Sequence, residues 1–149
     1  MLRAIYFLFF SSVFVQSAAA GPDKVSIMLG SAHINSTVDY NEFNPGVFVT
    51  WDRGRRYTIG AFKNSYSKTS VAAMVAWPLT GTSKWTLDAT AGIAFYHDDA
   101  VKFPTHWGSF VPIAGLQFRT EHYFIQMFPG DGDVTDMIFS FGLSFPLNP

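Results

Sequence analysis

Residues 136–145 constrain the fold more than any other stretch. Met137, Phe139, Phe141, Leu143 and Phe145 hold one set of alternate positions, and Ile138, Ser140, Gly142 and Ser144 hold the other. A period of two belongs to extended backbone, in which successive side chains point to opposite faces. The large apolar face would suit any half-buried sheet. The opposite face is mostly small and uncharged, which suits a narrow barrel interior better than a surface in water. Similar alternation recurs along the chain, so the expected fold is all-β: an eight-stranded antiparallel up-and-down transmembrane β-barrel of the outer-membrane kind.

The start of the chain fits that compartment. Met1-Leu2-Arg3 is followed by a Phe-rich apolar run from Ala4 to Val15 and then by small residues, Ser17-Ala18-Ala19-Ala20. This is the layout of a cleaved secretory signal peptide over residues 1–20. The apolar run falls short of the ~20 residues a membrane span needs. Residues 21–149 then form one barrel domain in the outer membrane of a Gram-negative-type envelope. There is no cysteine, hence neither a disulfide framework nor thiolate chemistry. Charged residues make up 14% of the chain, against about 25% in soluble domains, and aromatics make up 17%. The net charge of −1 argues against a nucleic-acid partner, which would need a basic surface.

Eight strands can be placed. The first covers residues 24–34, and the second follows Asn44-Pro45-Gly46 with Val47, Val49 and Trp51 on one face. The third covers residues 57–65 after the polar turn 52–56, where Gly54 supplies permissive backbone. The fourth, residues 69–77, sets Val71, Ala73, Val75 and Trp77 against Ala72, Met74 and Ala76, and a turn over 78–83 should follow. The fifth runs from Trp85 to Phe95; the sixth covers 109–119, the seventh 122–128, and the eighth is the final segment. Links at one end are long and at the other short, the pattern of outside loops and periplasmic turns. Aromatics near strand ends (Trp51, Tyr57, Trp77, Trp85, Tyr123) fit interfacial girdles. A soluble lipocalin-like barrel binding an apolar ligand is the competing fold; it would require polar outward faces.

Candidate chemistry is sparse. His33 ends the first strand and Ser65 the third, so both fall at the same rim, and a histidine can serve as general base to a serine hydroxyl. His97-Asp98-Asp99 with His106, and Asp131-Gly132-Asp133 with Asp136, are read as solvated loops, because neither shows zinc-ligand or calcium-loop spacing. No metal and no cofactor is expected.

Several short motifs fall in one order. His33 is followed by Tyr40-Asn41-Glu42; then come Ala61-Phe62-Lys63-Asn64-Ser65-Tyr66-Ser67-Lys68, Trp77, Thr90-Ala91-Gly92, Pro112-Ile113-Ala114, and Gln126-Met127 with Pro129-Gly130. In these the chain resembles the lipid A palmitoyltransferases, eight-stranded outer-membrane enzymes that move an acyl chain from a phospholipid to lipid A. The resemblance implies that His33 is the catalytic histidine and Ser65 the catalytic serine. Asn64 stands where that family has a catalytic aspartate, and an acid restored there is expected to strengthen the pair. It further implies two substrate-binding positions. Ala76 falls at the floor of an acyl-chain slot, where the family often has glycine. Pro112 falls at a break in strand pairing through which lipid enters sideways.

Two functions follow from this reading. The first is acyl transfer from phospholipid to lipid A. The second, favoured by Asn64, is a catalytically inactive structural or lipid-binding barrel that modifies the cell surface. Both take membrane lipids as partners, exclude nucleic acid and expect a monomer.

Overall fold

The computed structural model describes residues 21–147; the expected signal peptide at 1–20 lies outside the described residues. Eight strands follow in chain order: β1 (Lys24–Ile34), β2 (Gly46–Asp52), β3 (Arg56–Lys63), β4 (Thr69–Gly81), β5 (Trp85–Phe95), β6 (Phe110–Thr120), β7 (Tyr123–Pro129) and β8 (Met137–Pro146). Each pairs antiparallel with the next, and β8 pairs back onto β1, closing the barrel. Loops 35–45, 64–68, 96–109 and 130–136 gather at one end, here the mouth. The turns 53–55, 82–84 and 121–122 lie at the other end.

The alternation read in the sequence fixes the faces. In β8, Ser140 is 7% exposed and Phe141 42%. The inward set continues through Phe48, Ala72, Met74, Ala94 and Phe124, which pack with Met28 as the core. An eight-stranded barrel is just wide enough for side chains or one small ligand, so inward aromatics need small partners. Phe48 lies where a Cβ on Gly60 would be, and Phe124 where one on Gly142 would be.

Two boundaries differ by more than one residue from the expected ones. β4 continues through Gly81, past the turn expected over 78–83. The ladder steps from Pro78↔Asp88 to Thr80↔Leu87, so Leu79 is an extra residue. Proline lacks an amide donor, and a bulge beside it lets the strand continue. β3 ends at Lys63 rather than at 65, because Asn64 begins a turn.

The interior divides in two along the barrel axis. At the turn end, Arg56 donates from Nη1 to Asp88 Oδ1 at 2.7 Å and pairs through Nε with Asp52 at 3.0 Å. Arg119 faces the other Asp88 oxygen at 3.4 Å and reaches Asp52 at 3.3 Å. Asp88 is fully buried, so this ring of two acids and two arginines compensates its charge while filling the lumen. Beyond it toward the mouth, the lumen opens into a cavity.

Packing at Gly60 gives a direct check. Gly60→Leu should destabilise the barrel by about 1–3 kcal/mol in a urea titration of refolded protein, because the Phe48 ring holds that space. Ala61→Leu, one residue along and outward, should stay within about 0.5 kcal/mol. Equal effects would mean that the inward and outward sets are exchanged.

Candidate functional site

The cavity has a volume of about 600 Å³, within the ~300–1,000 Å³ usual for small-molecule sites. Its walls are apolar below the mouth, with Phe48, Ala72, Ala94 and Val111 among them. Met74 and Gln126 line it at its deep end, where Gln126 Nε2 lies 3.8 Å from the Met74 sulfur. Ala76 is one inward position further along β4, beneath Met74, and pairs with Arg56 and Thr90. It therefore lies below the cavity, next to the charged ring, and the depth of the slot is set at Met74.

The mouth brings His33 and Ser65 together. Ser65 Oγ is 3.1 Å from His33 Nε2, and both line the cavity. Three features hold the pair. The Tyr40 ring stacks on the imidazole with centroids 4.3 Å apart. The Asn41 backbone N–H donates to the Ser65 carbonyl at 3.0 Å, tying loop 35–45 to loop 64–68. The His33 backbone N–H donates to Glu42 Oε1 at 3.2 Å.

Asn64 is fully buried and its side chain is committed elsewhere. Its Oδ1 accepts the backbone N–H of Tyr66 at 2.9 Å and of Lys68 at 3.0 Å, and its Nδ2 donates to Ser70 Oγ at 2.9 Å. An Asn side chain bonding the backbone two residues ahead is a turn-forming device. Asn64 therefore shapes the loop that presents Ser65. An aspartate could take the same place, since the Ser70 hydroxyl can turn to donate.

Glu42 is the residue that sequence reasoning passed over. Its carboxylate is 4.0 Å from His33 Nδ1, an acid beside the second ring nitrogen. The motif Tyr40-Asn41-Glu42 follows the histidine closely enough to have pointed there.

Loop 96–109 covers part of the mouth. Its 3₁₀ turn, His97–Lys102, places Asp99 between Lys102 Nζ at 2.8 Å and Lys68 Nζ at 2.9 Å. The Lys102 and Lys68 ammonium groups hold the Asp99 carboxyl below its ordinary range, and Asp99 in turn raises Lys68. Lys102 Nζ also lies 4.0 Å over the Tyr66 ring, next in sequence to Ser65. Desolvation pushes the Tyr66 phenol well above its usual range, and the nearby Tyr40 hydroxyl adds to the shift.

The remaining polar loop residues have local roles. His97 Nε2 contacts the Thr69 carbonyl at 3.1 Å, and His106 Nδ1 contacts the Gly108 carbonyl at 3.3 Å. Asp131 Oδ1 accepts three backbone N–H bonds, from Asp133, Val134 and Thr135, and those from Val134 and Thr135 lead in lowering its pKa. Among the described residues, no three His, Asp or Glu side chains converge as a metal site would require.

Pairing between β6 and β7 stops short of the mouth. It runs from Arg119↔Phe124 to Leu116↔Met127 and no further, although β7 continues beside β8 to Pro129. Pro112 stays in register with Ile93 on the β5 side. The interruption is thus on the β7 side and begins at Gly115, deeper than Pro112 itself, where the Phe128 ring lies against the glycine. Pro112, Ala114 and Pro129 all line the cavity, so it reaches the wall at this gap.

Compared with models of known protein families and with curated proteins, the chain matches none.

Removing the Asn64 amide should loosen the serine loop. Asn64→Ala leaves the Ser70 hydroxyl and two N–H groups without their partner, and should cost about 1–3 kcal/mol in a denaturant titration. Proteolytic nicking within residues 64–68 should increase in parallel. An unchanged midpoint and nicking rate would show that the loop is held by other contacts.

Proposed function

We propose that the chain is an outer-membrane acyltransferase whose Ser65–His33 pair moves an acyl chain from a phospholipid to lipid A. The observation that carries this reading is a serine hydroxyl 3.1 Å from a histidine nitrogen at the mouth of an apolar cavity. Membrane placement is supported by the outward faces, where Ile27, Val47, Ile59, Ile93, Ile125 and Phe141 are all exposed around a closed barrel. An apolar belt of that extent is costly in water, and a closed barrel satisfies its backbone groups within a bilayer.

The chemistry follows from the pair. His33 takes the Ser65 proton as the hydroxyl oxygen attacks the ester carbonyl of the phospholipid. The Oγ–acyl bond forms, the ester C–O bond breaks, and the leaving alcohol receives the proton from His33. A lipid A hydroxyl then attacks the acyl-serine by the same steps in reverse. The acyl chain occupies the apolar cavity down to Met74, and the β6–β7 gap gives it a way in from the side. The resemblance to lipid A palmitoyltransferases supports the choice of donor and acceptor.

A second reading is favoured by one observation: His33 Nδ1 is buried without a hydrogen-bond partner. On that reading the barrel binds lipid through the same cavity and catalyses nothing.

Mass spectrometry of lipid A decides between the two. Cells expressing the chain should carry an additional acyl group on lipid A, and Ser65→Ala and His33→Ala should each reduce it to the background of cells lacking the protein. Phospholipid co-purifying with a barrel that leaves lipid A unchanged would support the binding reading instead.

Membrane placement has its own test. Phe141→Arg should cost ~2–4 kcal/mol in folding into bilayers, the scale for a cation near the midplane on the lipid face. Ser140→Thr should be mild. Recovery of the protein as soluble material without detergent would refute the placement.

A further inference from the structure

We infer that Glu42 is the acid that positions His33 for Ser65. This rests on the acyl-transfer reading and names the group that the pair alone lacks.

The two imidazole nitrogens have unequal surroundings. Nε2 faces Ser65 Oγ at 3.1 Å. Nδ1 is buried with no hydrogen-bond partner, in a side chain only 4% exposed. The carboxylate beside it is Glu42, with Oε1 at 4.0 Å. That same oxygen accepts the His33 backbone N–H at 3.2 Å, so the acid is already anchored to the histidine.

The backbone around Glu42 is fixed as well. Its carbonyl accepts the Ser31 N–H at 2.9 Å, and a Cβ on Gly30 would run into that carbonyl at 2.7 Å. Glycine at 30 thus lets loop 35–45 lie against β1. The Glu42 side chain is 58% exposed, so its torsions are free to close the remaining distance to Nδ1. A buried ring nitrogen left unpaired is costly, which favours that closure.

Closure selects the tautomer that can act. With Nδ1–H donating to Glu42, the Nε2 lone pair accepts the Ser65 proton. In the other tautomer Nε2–H points at the serine and there is no base. As the proton moves to Nε2, the carboxylate faces the imidazolium that forms, the role of the acid in serine–histidine–aspartate triads. Residue 64 is not placed for this: its Oδ1 already accepts two backbone N–H groups and its amide donates to Ser70. The acid comes from the loop after β1 rather than the loop after β3.

A fluorophosphonate probe tests this on the full chain in detergent micelles, with folding checked by heat-modifiable migration. Ser65 Oγ attacks phosphorus, the P–F bond breaks, fluoride leaves and His33 takes the proton, so the labelling rate reports the pair directly. The parent should be labelled at Ser65. Glu42→Gln keeps an oxygen for the His33 backbone N–H but loses the charge, and should slow labelling about 10–100-fold, short of the roughly 10⁴ seen where the acid is fully buried. Glu42→Asp should recover part of the rate. Asn64→Asp should stay within about threefold of the parent. With a p-nitrophenyl ester, the Glu42→Gln loss should fall on kcat and leave KM unchanged. A folded Glu42→Gln labelled at the parent rate, or a tenfold gain from Asn64→Asp, overturns the inference and leaves acyl transfer standing. No labelling of Ser65 in the folded parent overturns both.

Discussion

The pairing of β1 with β8, from Lys24↔Pro146 to Ile34↔Met137, is the constraint on which the rest of the molecule depends. It joins the two ends of the chain and removes the sheet's last free edge. Once the sheet is closed, each strand has one face in a narrow lumen and one on the outer wall. With only eight strands, the lumen must be filled in detail, and a large inward ring requires a small neighbour on the next strand. The glycines opposite Phe48 and Phe124 satisfy that requirement. A single bulge, where the ladder steps from Met28↔Gly142 to Gly30↔Phe141, lets β1 keep step with β8 up to the mouth.

How the lumen is filled determines what the barrel can hold. The turn end carries Asp52, Arg56, Asp88 and Arg119 in one ring, with the Thr50–Thr58 hydroxyl contact at 2.9 Å nearby. Taking charges out of water is costly, and removing one partner of a buried pair typically costs about 3–5 kcal/mol. The ring is therefore stable only as a set. It closes one end of the lumen and leaves the apolar remainder as a blind chamber that opens at the mouth and reaches the wall at the β6–β7 gap.

At the mouth, the loops act through one another. Loop 35–45 bonds to the serine loop through Asn41 and to loop 130–136 through Thr37, whose N–H donates to the Val134 carbonyl at 2.9 Å. Loop 96–109 bonds to the serine loop through Asp99 and Lys68. The geometry of Ser65 and His33 is thus a property of four loops together, which is how a rim on a rigid barrel can hold two side chains within hydrogen-bond reach. The same coupling explains Asn64. Its side chain is used in forming the loop, so its identity bears first on where Ser65 sits.

The sequence by itself determined the strand number, the inward and outward sets and the end at which the long loops gather, because each follows from period-two alternation and turn chemistry within a few residues. It placed His33 and Ser65 at the same rim for the same reason. Only the tertiary structure decided the extent of β4, where Pro78 is absorbed by a bulge. It also placed the cavity floor at Met74 rather than Ala76, the start of the pairing gap at Gly115, three residues deeper than Pro112 within it, and the Asn64 side chain against Ser70. These depend on which strand lies beside which and at what register, and side chains far apart in the sequence settle them. Glu42 is the clearest case. A carboxylate in a long loop has no period to reveal its direction; it reaches His33 because Gly30 lets the loop lie along β1 and the Ser31 amide holds it there.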